Sequence, residues 1–400
     1  MSTLTDEAPG GTRRDRPAPR LISGPLVLVF LCTFGTLSSF YLMLSVTPVY
    51  AAAAGSGSAG AGLVTGILLL GTVAAELAAP ILMKRFEYST LLVFGAVLLG
   101  VPALALLSQA SLGVIVAVSV IRGFGFGLST VVPGALVAML LPPERRGEGI
   151  GLYGVVDTVP GVVALPAGIW LAGHYGMPVV VVMTAATALV PLAVFPWLRR
   201  AARRAAGGPA GPGQPAGLLD GLRNAGQLRP SLVFAASTVA AGVVVSFLPL
   251  ATGRSGNIAA TGLLAQALAA TLSCWWAGRY GDRHGHARLL APGLVIAALG
   301  MAAMIWPTVP AAVITGMCLF GTGFGISQNA TFALMVERMP ASGLGTASAL
   351  WSLAYDAGYG AGPAVFGLLV IHTGYPVAFA LTAALMLAAL PAARRERSAA

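Results

Sequence analysis

Charge is scarce in this chain: Asp, Glu, Lys and Arg together make up 9% of 400 residues, and lysine occurs once, against twenty-two arginines. A soluble domain keeps roughly a quarter of its residues charged to cover its surface, so a soluble globule is excluded. Cysteine is scarce too. Cys32, Cys274 and Cys318 all fall inside apolar stretches, which excludes a disulfide framework and the paired spacings of a structural metal site. What is present instead is apolar: 57% of the chain, with a mean hydropathy of +0.85. The pattern is that of an all-α membrane protein, because only a helix or a closed barrel satisfies its own backbone in lipid.

A bilayer core of about 30 Å takes about 20 apolar helical residues per crossing. Twelve stretches qualify, near 26–53, 62–83, 89–108, 112–141, 148–172, 177–198, 231–252, 259–277, 288–307, 310–336, 346–371 and 375–393. The first is too long for a signal peptide, and eleven more follow. The net charge of +10 would point to nucleic acid in a soluble protein, but here the basic residues alternate by loop. With the N-terminus in the cytoplasm, one side receives Arg13, Arg14, Arg16 and Arg20, Lys84 and Arg85, Arg145 and Arg146, six arginines between 199 and 229, Arg279, Arg283 and Arg288, Arg338, and Arg394, Arg395 and Arg397. The other side receives Arg254 alone. That asymmetry satisfies the positive-inside rule over every loop, sets the orientation and excludes a nucleic-acid role.

Sliding the chain against itself by 198 residues brings two halves into register. Gly123, Gly125, Phe126, Gly127 and Ser129 fall on Gly321, Gly323, Phe324, Gly325 and Ser327, and His174, Gly176 and Pro178 fall on His372, Gly374 and Pro376. Two copies of a six-helix bundle follow, an arrangement that in transporters places the substrate site between the copies near the midplane. The polar run "AGRYGDRHGHAR", residues 277–288, is then the turn between the second and third helices of the second copy, and "APILMKRFEYST", residues 79–90, is its counterpart, with Arg283 over Arg85.

Gly278, Asp282, Arg283, Gly285 and Arg288 in that turn resemble the hallmark of the major facilitator superfamily; in the first copy Pro80 and Lys84 replace the glycine and aspartate. "TPVYA" at 47, "FLPLA" at 247 and "LPPERRGEGIGLYG" at 141–154 are similar to the drug and metabolite exporters of that superfamily. "GYGAGPAVFG", Gly358 to Gly367, is similar to their glycine-proline antiporter motif, though on the eleventh helix rather than the fifth. The resemblance implies two pseudo-symmetric six-helix bundles that rock against each other, with the turn residues, together with Arg85, as a latch between helix ends. It divides the chain into a cytoplasmic tail 1–24, a first bundle 25–198, a cytoplasmic linker 199–229 rich in Arg, Gly and Pro, a second bundle 230–393 and a tail 394–400. It also implies that helices one, four, seven and ten line the cavity. The candidates there are Tyr41, Ser45, Ser129, Ser237, Gln328, Asn329 and Phe332, with Trp351 and Tyr355 nearby on the eleventh.

Four ionisable residues lie deep in apolar stretches: Glu76, Arg122, Asp157 and Asp356. Each costs on the order of 2.5 to 3.5 kcal/mol to insert, so each needs a partner or a wet cavity. "RGFGFG" at Arg122 resembles the family's proton-coupling arginine motif, with Phe126 where a glycine is expected. Glu76, Arg122 and Asp356 are expected to form one coupled site in which movement of the arginine loads or discharges a proton, with Asp157 as the substitute acid. The expectation is a proton-coupled exporter of small hydrophobic or amphipathic compounds, a monomer in a bacterial cell membrane with both termini cytoplasmic. Its energy source is the proton gradient and it takes no other cofactor or metal. Two alternatives stay open, a proton symporter importing an organic anion held by Arg122, and a transporter-like receptor or scaffold. No enzymatic constellation is visible.

Overall fold

The computed structural model describes residues 23–108, 111–140, 146–206, 225–253, 256–339 and 344–399. The N-terminal arginines, Arg254, Arg145 and residues 207–224 of the linker lie outside them. Among the described residues the chain is almost wholly helical, without strands. The helices are α1 (Gly24–Leu44), α2 (Gly57–Arg85), α3 (Tyr88–Gly100), α4 (Leu112–Leu140), α5 (Arg146–Tyr175), α6 (Met177–Ala188), α7 (Ala225–Ala251), α8 (Gly256–His284), α9 (Ala287–Ala303), α10 (Pro310–Glu337), α11 (Leu344–Ala388) and a tail helix α12 (Leu390–Ala399). Shorter helical pieces, Val46–Ala51, Val101–Leu107 and Val190–Ala193, lengthen α1, α3 and α6. The helix Phe195–Ala206 carries the first bundle into the arginines read as linker, and Arg199 Nε meets Glu87 Oε2 at 3.0 Å.

Eight apolar tracts are long enough to cross a membrane. Two of them, Gly24–Arg85 and Ala347–Glu396, fold back on themselves, and Met177–Ala193 and Ala287–Ala303 are shorter apolar helices, so twelve crossings result. The folds back are made where glycine takes positive φ, which side chains resist. Gly55 (93°) and Gly253 (68°) stand 198 residues apart, as do Gly176 (82°) and Gly374 (73°).

The same period governs the packing. A Cβ on Gly123 would strike Leu68 O at 1.9 Å, and one on Gly321 would strike Gln266 O at 2.2 Å. Gly127 and Gly325 sit likewise on Thr72 O and Ala270 O, and Gly125 and Gly323 on Leu99 N and Ala297 N. Every partner in the second half is the first-half partner displaced by 198. Backbone contact at this range is how helices associate where lipid removes the hydrophobic drive, so these glycines make the tertiary core of each bundle.

We call the end where α2 finishes in Lys84 and Arg85 the basic end. At the opposite, far end one core joins Leu37, Phe40, Leu69 and Leu99 to Val244, Phe247 and Phe366 across the bundles, and it continues through the second bundle to Leu289 and Leu334. Toward the basic end the first bundle has a core of its own, with Leu26, Val29, Leu91, Leu92, Val132 and Leu136. The far-end closure is a seam between α2 and α11, which run antiparallel. Gly62 lies on Pro363 O, Gly66 on Ala364, Leu69 on Gly360, and Gly367 on Ser58 O. Beside the seam, Thr65 and Ser246 share a hydrogen bond of 2.9 Å between bundles.

Candidate transport site

Continuing down the α2–α11 seam toward the basic end, the next meeting point is a pair of acids. Glu76 and Asp356 face each other across the bundles, close enough for their carboxyl groups to interact, with Thr130 of α4 as a further neighbour of Glu76. A hydrogen bond between two carboxyl groups requires a proton on one of them, since ionised carboxylates only accept. One proton shared between them would let the pair join the bundles.

Arg122 is not part of this pair, and the three-residue site expected from the sequence separates here. Its side chain is 3% exposed and turned to α1 and α3, donating from Nη1 to Leu99 O at 2.5 Å and from Nη2 to Ser39 O at 3.2 Å. The reason lies in the end of α3. Tightening of Val101–Leu107 would offer Leu99 O the N–H three residues on, but that residue is Pro102, which has none. The guanidinium supplies the missing donor. The Phe126 that departs from the family pattern stacks on Phe40, with ring centroids 3.4 Å apart and planes at 8°.

Asp157 lies on α5 in a different setting. It is exposed, and no hydrogen bond or ion pair is made to it among the described residues. The tyrosines near enough to feel its charge are Tyr41, Tyr153 and Tyr355. Of the expected lining residues, Tyr41 packs its ring over Gly161, 3.3 to 3.6 Å from where a Cβ would stand. Trp351 stacks on Phe234 (4.6 Å, 16°), receives Phe332 edge-on at 5.3 Å and donates to Thr331 Oγ1 at 3.2 Å. Tyr355 stacks on Tyr359 at 5.5 Å. Gln328 is half-buried.

The serines differ from the expectation. Ser45, Ser129 and Ser237 are wholly buried, and their hydroxyls donate to Leu165 O, Gly125 O and Val233 O. A small hydroxyl on a tightly packed helix finds a carbonyl before it finds a cavity. Asn329 points into the second bundle, against Cys274 and Gly278, where a Cβ would stand 3.3 Å from its Nδ2.

The expected latch is also rearranged. α8 runs unbroken to His284, so Asp282 and Arg283 sit on its last turn facing outward, Asp282 with 75% of its side chain exposed. Gly285 (φ 88°) then reverses the chain and drives His286 inward. His286 is 6% exposed, 2.7 Å from Glu337 Oε1 through Nδ1 and 3.8 Å from Asp282 Oδ1 through Nε2. Its ring occupies the space over Gly281, where a Cβ would come within 2.2 Å. Arg85 and Arg288 are exposed. Sequence reading missed His286 and Glu337, although His286 stands inside the turn it singled out. It also missed Tyr359 and Tyr153, which a spacing of four from Tyr355 and Asp157 marks as facing the same way.

Comparison with known proteins agrees with this architecture. Over 125 residues the chain is 33% identical to the tetracenomycin C resistance and export protein of Streptomyces glaucescens, covering 31% of this chain and 23% of that one. It is 24% identical over 200 residues to an MFS-type transporter of Aspergillus fumigatus, covering 48% and 45%. The matches thus span less than half the length of these relatives. Among solved structures, the nucleoside transporter NupG superposes with a TM-score of 0.74 at 12% identity, covering 94% of this chain and 99% of that one. A bacterial homologue of the lysosomal transporter Spinster superposes at 0.73 and 15% identity, covering 94% and 96%. The family model described as Major Facilitator Superfamily matches residues 29–363 and 258–399, and the chain belongs to that superfamily of multi-pass membrane transporters.

Proposed function

We propose that this protein exports small hydrophobic or amphipathic organic compounds in exchange for protons, from the cytoplasm across a bacterial cell membrane. The observation that carries the reading is the Glu76–Asp356 pair, placed between α2 and α11 next along the seam that joins the bundles. With its proton the pair links α2 to α11 and supports the closed far end. Without it two adjacent negative charges repel, and the far end is pushed open. By the positive-inside rule the basic end is cytoplasmic, so substrate enters from the cytoplasm and displaces the proton. The far end opens and releases substrate, and a proton from outside restores the seam. Similarity to an export protein supports the outward direction.

The test is accumulation in cells across a compound panel, with and without an uncoupler. Expression should lower cellular content of the substrate and lose that effect when the gradient collapses. Expression that raises uptake of an anionic nutrient would replace this reading with the symporter.

A further inference from the structure

Three of the four deep charges have partners within the protein. Glu76 and Asp356 have each other, and Arg122 has two carbonyls. Asp157 has none, yet its position is well defined. Tyr153, Asp157 and Gly161 follow at intervals of four on one face of α5, and Gly161 is where the Tyr41 ring of α1 rests. Asp157 thus lies on the face of α5 that packs on α1 and is exposed there, with Tyr41 and Tyr355 near it. The 198-residue repeat places Tyr355 at the position equivalent to Asp157, so the two confront each other from opposite bundles.

We propose that Asp157 is the counter-ion for a positively charged group on the transported molecule, which makes aromatic organic cations the substrate class. The proposal rests on the transport reading above and deepens it. A carboxyl group beside tyrosines, with no ion pair to any of the described basic side chains, is completed by a cation, which would also favour its charged form. The rings around it suit the rest of such a molecule. Tyr41 and Tyr355 come from different bundles, and the faces of Trp351 and Tyr355 are held in place by stacking on Phe234 and Tyr359. Aromatic faces attract a cation, and rings already fixed lose little entropy on binding it. An anion meets the opposite conditions, because the one deep arginine donates away from this place.

The test uses tetraphenylphosphonium and tetraphenylborate, nearly equal in size and opposite in charge. Binding to the purified full chain is measured by equilibrium dialysis without a gradient, so the result does not depend on export or proton coupling. The phosphonium should bind more tightly than the borate. Asp157→Asn should weaken the phosphonium by roughly tenfold or more, the scale of a close charge contact, while leaving the borate unchanged. Asp157→Glu should restore most of the loss. Trp351→Leu, which alters the site from the other bundle, should also weaken the cation selectively and serves if the Asn variant does not fold. Tighter binding of the borate, or phosphonium binding indifferent to both the Asn and the Leu substitutions, overturns the proposal even if the protein exports something else. Selective loss of the phosphonium in a protein that proves to import upholds the site and removes the export reading.

Discussion

Replacing Glu76 by Gln tests whether the shared proton controls the seam. Two negative charges about 4 Å apart at an effective dielectric of about 20 repel by about 4 kcal/mol. At about 1.4 kcal/mol per decade, that biases the closed-to-open equilibrium of the far end by close to three decades. Gln removes one of the charges, so loss of the remaining proton can no longer produce this repulsion. The seam itself offers the readout. Thr65 and Ser246, with hydroxyls 2.9 Å apart across the bundles, become a cross-linking pair when both are replaced by Cys in a background lacking Cys32, Cys274 and Cys318. With Glu76 intact, cross-linking should fall as pH rises, because the pair gives up its proton and the far end parts. With Glu76→Gln the yield should stay high and nearly flat. The other polar groups facing the pair are Thr130 of α4 and Tyr41, Tyr355 and Tyr359, so Tyr41→Phe and Tyr355→Phe should leave the pH dependence in place. In proteoliposomes the Gln variant should still exchange substrate but lose gradient-driven accumulation. An unchanged pH dependence of cross-linking together with full gradient-driven transport in Glu76→Gln and Asp356→Asn would refute the reasoning.

Gly62→Val places a Cβ 2.0 Å from Pro363 O, so the same cross-link should be largely lost at every pH while Gly113→Val, with open space around it, leaves it intact. His286→Ala removes the partner of Glu337 and empties the space over Gly281, and the lost hydrogen bond alone should cost about 1 to 3 kcal/mol. The midpoint of thermal unfolding should therefore fall by several degrees, whereas Arg283→Ala, on an exposed side chain, should barely move it; equal effects would return the turn's support to Arg283.

What the sequence by itself determined about this protein is what composition and period can carry. Twelve crossings follow from hydrophobic length, and the two-bundle build follows from the 198-residue repeat, since glycines conserved between the copies meet equivalent backbone atoms in each. The depth of Glu76, Arg122, Asp157 and Asp356 was legible for the same reason, as a charge inside an apolar run stands out. Only the tertiary structure decided which of them meet. A helical period says which face a residue takes but not which neighbour that face is turned to. Pro102 leaves the carbonyl of Leu99 unserved within its own segment, but that Arg122 is the group that reaches it is decided only once α3 and α4 are side by side. Glu76 meets Asp356 because glycines bring α2 and α11 into backbone contact, and no spacing within either helix encodes that register. Asp157 is left without an ion-pair partner among the described residues, a property of the assembled interior rather than of any segment.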